Sequence, residues 1–328
     1  MDLIRRIMFM AISINKTKRV LSAALIMTLA AVPQVLFCGC SAAPGGETTE
    51  TSESTDAAAP SGSIKIETVT TDSCEMDYFK FGTGDQPLVI IPGLSVQSVM
   101  ASADLVASAY APMADDFTIY VLDRRKDLPA AYSVDDMARD TADVIEALGL
   151  TQVDIFGASQ GGMIGMKIAI DHPELVHKLV LGSTAAKVGD DEYAGVESWV
   201  DLAREGDAEA LYLAFGEALY PEEVYEQSKD LLIQAAATVT QEDLDRFIIL
   251  AEGMRGFDVT AELDRIECPV LVLGASDDKV LGPEAADVIA EHLNGKDGFE
   301  IYMYDGYGHA AFDTAPDYKD RMSAFLLG

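Results

Sequence analysis

Five uninterrupted apolar runs of strand length, PLVII, FTIYVL, QVDIFG, KLVLGS and PVLVLGA, recur along the chain with longer amphipathic stretches between them. A strand that is apolar at every position is covered on both faces, the condition of a central parallel strand. Parallel neighbours need a crossover, and SVDDMARDTADVIEALGL supplies one. There Met137, Ala138, Thr141, Val144, Ile145 and Leu148 recur at helical spacing, with Ser133 as the N-cap and Gly149 as the stop. Ahead of the first run, SIKIETVT and MDYFKF alternate polar and apolar residues, as half-buried antiparallel strands do. The pattern predicts an α/β fold built on a mostly parallel, doubly wound sheet. From about residue 185 to 261 the rhythm breaks. Trp199, Tyr212, Phe215, Tyr220 and Tyr225 fall on helical patterns with no strand-like run among them, so this stretch reads as a helical insertion.

The chain has 328 residues, 49% of them hydrophobic, enough for a large core. Its formal charge is −32, and the first 62 residues carry five acidic and five basic side chains, so the whole excess belongs to the remainder. A body this negative repels phosphate backbones and anionic surfaces, which excludes nucleic acid as an expected partner. The cysteines fit no zinc spacing, and the sequence implies neither a metal nor a cofactor. Cys268, just before a central strand, reads as a small buried residue, with a bridge to Cys74 as the alternative.

The N-terminal segment follows other rules. KTKR (residues 16–19) precedes an uncharged stretch from Val20 to Phe37, the arrangement of a secretory signal. Pro33 and the limited length argue against a membrane-spanning anchor. FCGCSAAPGG places Gly39 before Cys40 and Ser41 after it, which resembles the bacterial lipobox, although Phe37 stands where leucine is usual. The resemblance implies that Cys40 is lipidated and becomes the new N-terminus. Residues 1–40 thus read as a lipoprotein-type signal, and 41–62, rich in Ser, Thr, Glu, Ala, Pro and Gly, as a disordered linker. Residues 63–328 form the folded unit, placed outside the cytoplasm and tied to the membrane by the lipid.

Between the apolar run VDIFG and the helix-like MIGMKIAI lies GASQGGM, residues 157–163. A serine on a strand-to-helix turn this tight takes a strained backbone, and a side chain two residues to either side would collide with its neighbours. Gly157 and Gly161 supply the room. The turn lifts Ser159 above the sheet at a helix N-terminus, where backbone N–H groups favour a developing negative charge.

With these residues in view, residues 63–328 resemble the α/β-hydrolase superfamily, whose motifs occur here in the family's order. PLVIIPGLS is similar to the family's third strand and oxyanion loop, with Pro92 where histidine often stands. YVLDRRKDLPAAYSVDD is similar to its fourth strand, with KDLPAA in place of a Gly-rich loop. VDIFGASQGGM is similar to the nucleophile elbow, PVLVLGASDDKV to the acid strand and loop, and DGYGHAAF to the histidine loop. The resemblance implies an α/β-hydrolase fold whose insertion, about 185–261, forms a lid.

It also implies a Ser-Asp-His triad. Ser159 is the nucleophile and His309, in a Gly-rich loop after the strand FEIYMY, the base. His172 and His177 read as capping or surface residues beside the elbow helix, and His292 as a solvated helix residue. For the acid, counting from Gly274 gives Asp277, whereas matching Val280 and Leu281 to the family pattern gives Asp278, the residue favoured. The oxyanion hole is assigned to the N–H groups of Leu94 and Gln160. Trp199, Tyr212 and Phe215 are candidate pocket walls. The expected activity is hydrolysis of an ester or amide bond in a small acyl substrate. Acyl transfer or perhydrolysis with the same triad, an aminopeptidase, and a non-catalytic binding protein of the same fold are the alternatives.

Overall fold

The computed structural model describes residues 63–328; the expected signal, Cys40 and the expected linker lie outside the described residues. Eight strands form one sheet: β1 (Ile66–Thr70), β2 (Glu75–Phe81), β3 (Gln86–Ile91), β4 (Phe117–Arg125), β5 (Val153–Ala158), β6 (Val176–Gly182), β7 (Val270–Ala275) and β8 (Phe299–Tyr304), in the order β1-β2-β4-β3-β5-β6-β7-β8. β1 and β2 are antiparallel, as their alternation predicts, and β2 runs antiparallel to β4. From β4 across to β8 every pairing is parallel. The five apolar runs are β3 to β7, and every residue of β5 and β7 is buried. β8 closes the far edge, and its Glu300, Ile301 and Tyr302 are exposed.

The helices are α1 (Ala103–Ala109), α2 (Val134–Ala147), α3 (Gln160–Asp171), α4 (Asp190–Glu205), α5 (Ala208–Leu219), α6 (Glu222–Ala236), α7 (Gln241–Glu252), α8 (Ala285–Leu293), α9 (Ala311–Thr314) and α10 (Tyr318–Leu327). α2 shows how local sequence sets its ends. Ser133 Oγ accepts from the N–H of Asp136, whose carboxylate accepts from the Ser133 N–H in return, a reciprocal cap. At the other end Gly149 takes φ +72°, and the N–H groups of Gly149 and Leu150 close onto the carbonyls of Glu146 and Ile145.

α4 to α7 fill the stretch between β6 and β7 that lacks strand runs. α4 packs against α7 and α5 against α6. Their aromatic side chains hold the group together: Trp199 meets Phe215 edge-on at 4.7 Å between ring centroids, and Phe215 meets Phe247 at 6.1 Å. Cys74 is buried and Cys268 half-buried, and both are free thiols.

Candidate active site

β5 ends at Ala158 and α3 begins at Gln160, so a single residue makes the turn from strand to helix. That residue, Ser159, sits at φ +52°, ψ −121°, a conformation that side chains other than glycine rarely adopt. Its backbone is pinned on both sides: its N–H donates to the Gly182 carbonyl (2.8 Å), and its own carbonyl accepts from Thr184 Oγ1 (2.7 Å) and from the N–H of Gly162 (2.9 Å). The glycines have the role their spacing predicts. A Cβ on Gly157 would lie 2.3 Å from the Gly161 carbonyl oxygen, and one on Gly161 would lie 1.9 Å from that of Ile91. Gly162, to which the sequence assigned no task, leaves room for the Thr184 side chain that holds the turn.

His309 follows β8, in the loop before α9, and is 1% exposed. Its Nδ1 donates to Asp278 Oδ2 at 2.8 Å. Asp278, in the loop after β7, accepts at its other oxygen from the N–H groups of Val280 (2.8 Å) and Leu281 (3.1 Å). Burial by itself raises the pKa of this carboxyl. The charge and hydrogen bond of His309, with the two N–H donors, outweigh it and hold Asp278 below the usual carboxylate range. Asp277 is exposed, and its carboxylate accepts from Ser276 Oγ (2.8 Å). Of the two adjacent aspartates, Asp278 meets the imidazole.

Ser159 and His309 line one cavity, closed above by α4, α5 and the loop after α7. Its other walls are apolar: Leu94 from the loop after β3, Val196 and Trp199 from α4, Phe215 and Leu219 from α5, Met254, and Val280 beside the acid. About 10 Å³ is free inside, room for roughly one water molecule. On the outer side of Val280 an open groove of about 400 Å³ runs between Ala185–Glu192 and the segment from Lys279 to Val288, and Val280 lines both spaces.

Trp199 and Phe215 are pocket walls as read from the sequence. Tyr212 is not; it is buried, and its hydroxyl donates to Gln97 Oε1 at 3.0 Å. The remaining histidines lie away from the cavity lining. His177 bonds Asp154 at 2.8 Å, His172 lies 3.8 Å from Glu174, and His292 is half-buried on α8. Leu94 lines the cavity, whereas the Gln160 side chain points into the protein: its Nε2 donates to the Leu250 carbonyl (2.7 Å) and its Oε1 accepts from Arg124 (3.2 Å). The walls that the sequence did not mark, Val196, Leu219, Met254 and Val280, come from four separate segments. Only Val196, one turn before Trp199 on the same helix, carried a local signal. Among the described residues no group of His, Cys, Asp and Glu side chains is arranged to hold a metal ion, and no helix is long and apolar enough to cross a membrane.

A mostly parallel sheet with a strained serine between its fifth strand and the next helix, and an Asp–His pair carried by later loops, is the architecture of the α/β hydrolases. The sequence profile described as alpha/beta hydrolase fold matches residues 86–316, and the chain belongs to that family of hydrolases. Among similar proteins, RutD of Caulobacter segnis, named provisionally as a carbamate hydrolase, is 28% identical over 202 residues, 61% of this chain and 75% of its own. The 3-oxoadipate enol-lactonase 2 of Acinetobacter baylyi is 23% identical over 232 residues, 69% of this chain and 85% of its own. The crystal structure of MGS-M2, an alpha/beta hydrolase enzyme from a Medee basin deep-sea metagenome library, superposes with a TM-score of 0.71 at 21% identity, covering 80% of this chain and 98% of that one.

Proposed function

We propose that the protein is a serine hydrolase that cleaves an ester bond in a small acyl substrate through an acyl-enzyme. The observation that carries this reading is the buried Asp278–His309 pair beneath the cavity that Ser159 lines. In the proposed cycle Ser159 Oγ attacks the acyl carbon while His309 Nε2 takes its proton. Asp278, held ionised by its donors, fixes the tautomer and stabilises the imidazolium. The N–H groups of Leu94 and Gln160 receive the oxyanion. Collapse expels the alcohol with the proton from His309, and a water molecule then repeats the sequence to release the acid.

Apolar walls and the small free volume favour a short, uncharged acyl group, and the helices over the serine act as a lid that keeps bulk water out. The name of one similar protein, the enol-lactonase, supports acyl–oxygen cleavage. A fluorophosphonate probe followed by a panel of acyl esters and matching amides tests the reading. Ser159-dependent labelling with ester turnover is the expected result; no labelling of the folded protein would overturn it.

The tether is the second part of the proposal: Cys40 carries a lipid that holds the hydrolase outside the cytoplasm. Cys40→Ser should release the protein or leave it unprocessed. Normal processing with unchanged, detergent-dependent membrane retention would exclude Cys40 as the lipid site.

A further inference from the structure

Arg124, at the end of β4, is 4% exposed and makes no hydrogen bond to a carboxylate. One terminal nitrogen donates to two acceptors, the Pro92 carbonyl at 2.7 Å and Gln160 Oε1 at 3.2 Å, while Nε is buried without a partner. The adjacent Asp123 is committed elsewhere, to Arg246 and Ser98. Burial pulls the pKa of Arg124 down to about 10, still well above neutrality, so the guanidinium stays charged. Burying a cation without a hydrogen-bonded anion is costly, and the partners Arg124 does have are informative. Pro92 stands two residues before Leu94, and Gln160 directly follows the serine. Each acceptor therefore belongs to one of the two segments whose N–H groups form the oxyanion hole proposed above.

We infer that Arg124 is a positioning residue for the oxyanion hole, tying the β3 loop to the first residue of α3 so that the Leu94 and Gln160 N–H groups converge on one point. Its charge, fixed behind both peptide segments, adds positive potential where the oxyanion forms. The inference rests on the serine-hydrolase reading, since without an acyl intermediate the hole has no occupant. Two further contacts stiffen the link. Gln160 is anchored at its other end by the Leu250 carbonyl. A Cβ on Gly161 would fall 2.7 Å from the Pro92 carbonyl oxygen, so the two segments are already in close contact.

The test uses the full chain and two variants, Arg124→Met and Arg124→Lys, with an aryl acetate as substrate and an aryl trifluoromethyl ketone as the reversible adduct former. For Arg124→Met, kcat should fall about 10- to 100-fold with KM changed less than about twofold, and affinity for the ketone should weaken by the same factor as kcat, because the interaction matters only once the oxyanion exists. Arg124→Lys, which reaches one acceptor at a time, should recover part of both. A purely structural role would lower the thermal midpoint and leave kcat and ketone affinity at the parent values, measured well below that midpoint. That result overturns the inference. If Arg124→Met does not fold, Arg124→Lys decides by the same two ratios. A parent protein that neither labels with fluorophosphonate nor turns over esters removes the serine-hydrolase reading itself, whereas a labelled, active parent with unaffected variants removes only the role of Arg124.

Discussion

Asp278 Oδ2 lies 2.8 Å from His309 Nδ1, while Asp277, its neighbour in the chain, turns outward to Ser276. The two carboxylates are one peptide apart and chemically identical, so their substitution separates position from composition. Asp278→Asn should lower kcat by about 10⁴-fold with the fold intact, because an amide favours the wrong imidazole tautomer. Asp277→Asn should change kcat less than about threefold. Steady-state kinetics on purified variants checks the ranking, and the reverse order would move the acid to Asp277.

The same carboxyl gives stability a pH signature. Its folded pKa is depressed below the ordinary value of about 3.9, so its contribution is present above that value and is lost as pH falls through the folded pKa. The stability difference between the parent and Asp278→Asn should therefore shrink as pH falls below about 4. Denaturant titrations at a series of pH values measure it; a difference that grew with acidification would contradict the assignment.

Ser159→Ala should abolish fluorophosphonate labelling and reduce turnover by roughly three orders of magnitude or more. Adding His309→Ala should cost little further, since the base then has no proton to take. Full multiplicative losses in the double variant would show that the two side chains act separately.

The elbow glycines differ sharply from a glycine in the helices above. Gly161→Ala drives a Cβ to 1.9 Å from a strand carbonyl and should destabilise by about 3 kcal/mol or more. Gly195, inside α4, has open space around it, and Gly195→Ala should stabilise by about 0.4–1 kcal/mol. Chemical denaturation of both variants reads the contrast, and similar midpoints would mean that the elbow relaxes more easily than its contacts imply.

Val280 lines both the cavity beside Ser159 and the outer groove. Val280→Ala should join the two and shift the chain-length optimum of an ester panel toward longer acyl groups, while Val280→Phe should shift it to the shortest. An unchanged profile in both variants would place the limiting wall elsewhere.

What could be read from the sequence and what could not divide along a physical line. The five apolar runs, the N-cap at Ser133, the stop at Gly149 and the spacing of Gly157, Ser159 and Gly161 are set by neighbours a few residues away. A single chain displays them. The acid was ambiguous because Asp277 and Asp278 share one turn, and only the direction imposed by the Val280 and Leu281 N–H groups separates them. Tyr212 occupied a helical position equivalent to that of a pocket wall, yet its hydroxyl finds Gln97, more than a hundred residues away. Arg124 had no local mark at all, since its acceptors sit just past the C-terminal ends of two other strands, β3 and β5. Met254 and Leu219 reach the cavity only through tertiary packing.

The cavity beside Ser159, with space for about one water molecule, has a consequence for measured affinity. If the helices act as the lid proposed above, a substrate larger than that space would bind only to molecules whose overlying helices have moved aside, and the apparent dissociation constant would be the intrinsic one divided by the open fraction. Substitutions that loosen the seam between α4 and α7 without touching the cavity lining would then tighten binding by enlarging a minor population, while those that stiffen it would weaken binding with every contact to the ligand preserved.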